Sequence, residues 1–157
     1  MKKILKVIAI LIFIGFVGIQ FIRPNRTNPP INEAETLEAT TYVPENIEAI
    51  FNRSCNDCHS NKTVYPWYSN VAPISWKLVE HIEEGRDEMN FSKWGTYSKE
   101  RKQRKLEKIC EEVEAGEMPH NQYLWLHWDA KLSDEQIKIL CNWTKNEMEK
   151  IEKSKNS

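Results

Sequence analysis

The most apolar stretch of the chain comes first. Behind Lys2, Lys3 and Lys6 the sequence runs apolar from Val7 to Phe21, apart from Gln20. As a helix, Ile4 to Ile22 would measure about 28 Å, close to a hydrocarbon core of about 30 Å. The basic flank predicts a single-pass anchor in the cytoplasmic membrane, with the N-terminus inside and the rest in the periplasm. A cleaved signal peptide competes with that reading. Its apolar segment would be long, and no A-x-A-like site follows. No cysteine follows closely enough for a lipoprotein.

Residues 23–43 hold Pro24, Pro29, Pro30 and several Asn and Thr, with no apolar stripe. They read as a flexible linker, on the order of 25 Å long as a coil and about 65 Å if polyproline-like. From Pro44 the period turns helical. Ile47, Ile50 and Phe51 form an i, i+3, i+4 stripe. A second helix is predicted from Pro73 to Gly85, with Trp76, Val79 and Ile82 on one face and Gly85 as a left-handed stop. A third runs from about Ser98 to Ala115 with Leu106, Ile109, Cys110 and Val113 at core spacing, stopping at Gly116. The last opens on Ser133-Asp134-Glu135-Gln136, a capping box, and turns Ile137, Leu140, Cys141, Thr144 and Met148 inward. A domain at 44–150 and a frayed tail at 151–157 complete the division. No strand alternation or internal repeat is visible. The predicted fold class is all-α: a small helical domain behind a single N-terminal transmembrane helix.

The first helix of that domain leads into Cys55-Asn56-Asp57-Cys58-His59, the C-x-x-C-H attachment signature of c-type haem. Two thiols three positions apart can reach both vinyl groups on one porphyrin edge. The histidine that follows is carried under the ring, where its imidazole can ligate iron. C-x-x-C also serves zinc ribbons and thioredoxin-like sites. A ribbon needs a second close ligand pair, and Cys110 and Cys141 stand far apart. A redox dithiol wants a strand before it in a βαβ setting, and none is legible. The motif therefore predicts one covalent haem c per chain, held by Cys55 and Cys58 with His59 as proximal iron ligand.

Charge narrows the partners. Without Lys2, Lys3 and Lys6 the chain keeps 19 basic against 23 acidic side chains. An acidic domain excludes wholesale nucleic-acid binding. Within it, Lys99, Arg101, Lys102, Arg104 and Lys105 crowd the start of the third helix, against the preference of the helix dipole. They read either as a solvated face or as a basic docking patch. Four cysteines fit an export compartment. Two belong to the motif, leaving Cys110 and Cys141 as a disulfide or as buried free thiols.

A longer string of residues resembles the small haem-binding domain family, a bacterial c-type cytochrome group, over roughly residues 47–143. It comprises Cys55-x-x-Cys58-His59-Ser60-Asn61, Tyr65-Pro66-Trp67-Tyr68, Ala72-Pro73-x-Ser75-Trp76, Gly85-Arg86, Met89-Asn90-Phe91-Ser92-x-Trp94, Gly116-x-Met118-Pro119 and Tyr123. The resemblance implies a haem c domain and says little of its pathway.

A sixth iron ligand is expected from Met118, set between Gly116 and Pro119 in a turn like the Met-Pro turn of class I cytochromes c. The competing reading makes Met118 ordinary core filler. His81 and His127 are rival ligands, and His120 is expected to be exposed. Arg86, Trp67 and Trp94 are candidates for propionate or haem-wall contacts. The expected function is one-electron transfer with an unidentified redox partner protein. Two other readings stand beside it: a peroxidase-like enzyme or small-gas sensor with an open iron position, and a non-catalytic haem-binding scaffold.

Overall fold

The computed structural model describes residues 1–154, and within them the chain is helical with no strand. Eight α-helices follow in order: α1 (Lys2–Ile19), α2 (Leu37–Thr40), α3 (Glu45–Ser54), α4 (Asn56–His59), α5 (Ile74–Glu88), α6 (Lys99–Glu114), α7 (Asn121–Leu124) and α8 (Asp134–Lys153). Short 3-10 turns at Glu33–Glu35, Trp67–Asn70, Phe91–Thr96 and Trp128–Ala130 join them.

The all-α expectation holds, and the membrane anchor does not. No helix among the described residues is long and apolar enough to cross a membrane. Lys2, Lys3 and Lys6 lie inside α1, so its unbroken apolar part, Val7 to Ile19, spans only about 20 Å. The helix then stops because Gln20 turns onto the body of the protein. Its side-chain amide donates to the Ala72 carbonyl at 3.0 Å and accepts from the Ala72 N–H at 2.9 Å. The Trp76 indole donates to the Ile22 carbonyl at 2.8 Å. A single-pass placement in the cytoplasmic membrane, with a periplasmic domain behind it, therefore has no span to rest on.

Residues 23–43 also differ from the expected free linker. Leu37 and Thr36 are buried in the core. Arg26 donates to the Ser69 hydroxyl, and Asn28 donates to the Thr63 carbonyl at 2.9 Å. Prolines and asparagines hid this packing, because the segment is held by side-chain hydrogen bonds to distant residues and not by a helical stripe.

The core forms where α3, α6 and α8 meet the turn at Phe91–Thr96. Ile47, Ile50 and Phe51 of α3 pack with Leu106, Ile109 and Val113 of α6 and Leu140 and Trp143 of α8. Phe51 meets Phe91 at 4.8 Å and the edge of Trp143 at 5.4 Å. Both long helices are capped, α8 by the box read from its sequence. Ser98 accepts from Arg101 N–H ahead of α6, and Ser133 with Gln136 completes a capping box ahead of α8. Gly116 (φ 74°) ends the α6 region in the left-handed conformation that glycine adopts without a Cβ penalty. Cys110 and Cys141 are disulfide-bonded across α6 and α8, their Cα atoms 4.9 Å apart. The tail expected to fray from 151 stays helical through Lys153, and 155–157 lie outside the described residues.

The basic start of α6 is largely engaged internally. Lys105 pairs with Glu88, the Arg101 guanidinium sits 4.0 Å over the Tyr97 ring, and Lys102 is half-buried. Toward the end of α6, Lys108 pairs with Glu112 at 3.0 Å, the i, i+4 relief expected there.

Candidate functional site

Cys55 closes α3 as its C-cap residue, and the following turn, α4, carries Cys58 and His59. Their backbone N–H groups both donate to the Cys55 carbonyl, at 3.2 and 2.9 Å. The two thiols are half-buried and unpaired. Burial, with the neighbouring Cys58 adding to it, pushes the Cys55 thiol up to about 12, and Arg53 opposes. Burial and Asp57 push Cys58 up to about 11, against Arg86. Both are therefore protonated thiols at neutral pH.

His59 is fixed by α5. Its Nδ1 lies 2.9 Å from the Gly85 carbonyl and 3.1 Å from the Met89 carbonyl. Both partners can only accept, so Nδ1 carries the proton and Nε2 presents the free lone pair. Burial holds the imidazolium form below its ordinary range, and the two carbonyls only partly offset this.

Gly85 does not end its helix, contrary to the sequence expectation. α5 continues to Glu88, and the glycine serves a close approach. A Cβ at position 85 would stand 2.8 Å from the Cys58 carbonyl oxygen and 3.1 Å from Cys58 Cβ. Helix α5 thus lies directly against the C-x-x-C-H turn because residue 85 has no side chain.

The polar residues after the motif bind it to the rest of the domain. The Arg86 guanidinium donates to the Ser60 carbonyl at 2.8 Å, to Asn28 Oδ1 at 2.6 Å and to Thr63 Oγ1 at 2.7 Å. It clamps the motif loop to the preceding segment. Asn90 donates to Asn61 Oδ1 at 2.8 Å, and Asn61 in turn to the Pro30 carbonyl at 3.1 Å. Trp94 is buried in the core against Phe91 and Tyr97. Trp67 is 76% exposed and remains available at the surface.

A second wall comes from residues 118–130. Tyr123 donates to Asp57 Oδ2 at 2.8 Å, and the Ser54 hydroxyl donates to the Ala130 carbonyl at 2.8 Å. The loop is thereby tied on both sides of Cys55. Burial and Asp57 raise the Tyr123 phenol far above its ordinary range. His127 stacks on Tyr123 with centroids 4.0 Å apart and planes at 9°. Its Nδ1 lies 3.3 Å from the Tyr68 hydroxyl. His81 on α5 meets His120 at 4.8 Å between ring centroids, which brings the Met118 turn onto α5 one helical turn before Gly85. Met118 itself is partly exposed, as are Trp125, Leu126 and Trp128.

The structure thus gathers Cys55, Cys58, His59 and Arg86 in one place and sets the Met118 loop beside their helix. Sequence reasoning gave no role to Asp57 or Met89. The carbonyl of Met89 has no side-chain signature, and Asp57 matters only once Tyr123 is beside it.

A family model described as a haem-binding domain matches residues 14–146, most of the chain. The chain belongs to that haem-binding domain family. No curated protein and no solved structure matches it. The residues present fit a haem: the family match covers two unpaired thiols and an imidazole with a free Nε2 on one turn. Arg53 adds a further sign. Its Nε and Nη2 are buried without a hydrogen-bond partner, an unmet cationic site close enough to Cys55 to favour its thiolate. An unpaired buried donor of this kind is costly, and an anionic group beside it would relieve the cost.

Proposed function

We propose that this haem-binding domain is a c-type electron carrier, with one haem held as thioethers by Cys55 and Cys58. The observation that carries the reading is the tautomer of His59. Two carbonyls take its Nδ1 proton, which leaves the lone pair on Nε2 and raises its strength as a ligand. When bound, haem supplies a one-electron couple at iron, tuned by its axial ligands and surroundings.

The chain's own residues divide the remaining work. Cys55 and Cys58 tether the group, so that a small domain retains it. Gly85 and Arg86 keep the attachment turn rigid, which limits reorganisation at His59. Met118 would help hold the iron through its thioether, a donor that would favour the reduced state. The exposed indoles of Trp67, Trp125 and Trp128 are suited to brief contact with a redox partner protein.

An absorption spectrum tests the proposal. A carrier has six-coordinate low-spin iron in both oxidation states, and Met118→Ala opens it to carbon monoxide and lowers the potential. Five-coordinate high-spin iron in the unmodified protein would instead favour an enzyme or gas sensor. Unchanged ligation in Met118→Ala would move the axial role to His81 or His127.

A further inference from the structure

The seam between α6 and α8 carries a second group of ligand-type side chains, apart from the C-x-x-C-H turn. Cys110 and Glu114 stand four residues apart on α6, so both lie on one face of the helix. Cys141 faces them from α8. Both sulfurs and a Glu114 carboxylate oxygen lie within 4.8 Å of one another. Glu114 is exposed and makes no ion pair among the described residues, whereas Glu111 and Glu112 are both drawn to Lys108. The cysteines are half-buried, so the seam is open to a small solute.

We propose that Cys110, Cys141 and Glu114 form a redox-gated site for a soft divalent cation, zinc being the best fit. The proposal stands independently of the electron-carrier reading. An external dithiol opens the site: its thiolate attacks one sulfur, the Cys110–Cys141 bond breaks, and its second thiol displaces the mixed disulfide. The reductant leaves as its own disulfide, and Cys110 and Cys141 are left as thiols. The cation then displaces both thiol protons and takes two thiolates and the Glu114 carboxylate. Three protein donors leave the fourth tetrahedral position to water. An external disulfide reverses the step: Cys110 and Cys141 re-form their bond by thiol–disulfide exchange, the oxidant leaves as two thiols with protons from water, and the cation is expelled because a disulfide sulfur is a poor ligand. Two close thiolates and a carboxylate match zinc in charge and softness, while magnesium and calcium prefer all-oxygen shells.

The test uses the full chain with haem bound, reduced by a phosphine, desalted without oxygen and titrated with zinc against a competing chelator. Zinc K-edge absorption reads the shell without interference from iron. The expected result is one zinc per reduced chain, with two sulfurs at about 2.3 Å and lighter atoms at about 2.0–2.2 Å. The disulfide form should take up none. Glu114→Gln should weaken binding at least tenfold while keeping both sulfurs, and it leaves the helix seam intact should C110S/C141S fail to fold. Any of three results overturns the proposal: no stoichiometric zinc in the reduced protein, equal zinc in C110S/C141S, or unchanged affinity in Glu114→Gln.

Discussion

The two walls around the C-x-x-C-H turn are built differently. On the α5 side, Gly85 touches Cys58, two carbonyls hold His59, and Arg86 clamps Ser60, Asn28 and Thr63. On the other side, the segment from Met118 to Ala130 leans on the motif mainly through Tyr123 to Asp57 and Ser54 to Ala130, and it leaves Trp125, Leu126 and Trp128 exposed. The first wall fixes a donor atom, and the second offers adaptable apolar surface.

The largest expected effect strikes the motif itself, through pH. In the haem-free chain, unfolded thiols titrate near 8.5–9, while Cys55 and Cys58 hold their protons to about 12 and about 11 when folded. Folding therefore favours the protonated thiols. Their contribution is complete below about pH 8 and is lost as pH rises toward 11–12, on the order of 2 kcal/mol for each thiol by pH 10.5. Urea midpoints of the haem-free chain at pH 7.5 and 10.5 check it, and capping both thiols should flatten the difference.

Gly85→Ala comes next. An isolated helix would gain from this change, but here the added methyl meets the Cys58 backbone, and a loss of about 2 kcal/mol is expected. Equal or greater stability in urea would mean that the α5 wall yields easily, and the contrast between the walls would weaken. Arg86→Leu removes three hydrogen bonds and should cost about 1.5–2 kcal/mol. It should also expose the segment around Asn28, read as faster amide exchange there.

These magnitudes bear on what could be read from sequence. The stripe Ile47, Ile50, Phe51 and the Ser133–Gln136 capping box were legible because helices announce themselves within four residues. Cys55, Cys58 and His59 were legible as a group because they are near neighbours in the sequence, and one turn gathers them. Gly85 was misread as a helix stop, since a glycine needed for close approach looks the same until its neighbour is known. The clamp made by Arg86 was not legible because its partners lie 23 to 58 residues away. The packing of residues 23–43 was hidden for the same reason. The apolar run of α1 suggested a span by composition, yet its lysines and the docking of Gln20 on Ala72 cut it short.

The second wall should respond weakly. Tyr123→Phe removes one hydrogen bond to Asp57 and is expected to cost about 1 kcal/mol. Smallest of all, Trp125→Ser should change stability by less than about 0.5 kcal/mol, because its side chain is exposed. A loss above that limit would show that the aromatic segment is structural surface and not an adaptable rim.

The central claim is that Cys55 and Cys58 hold haem covalently, and acid–acetone extraction of the denatured holoprotein tests it most directly. The account predicts that the haem chromophore stays with the polypeptide, that its pyridine haemochrome spectrum is that of two thioether links, and that C55A/C58A releases it to the solvent. Haem extracted from the unmodified protein, or retained by C55A/C58A, would contradict it.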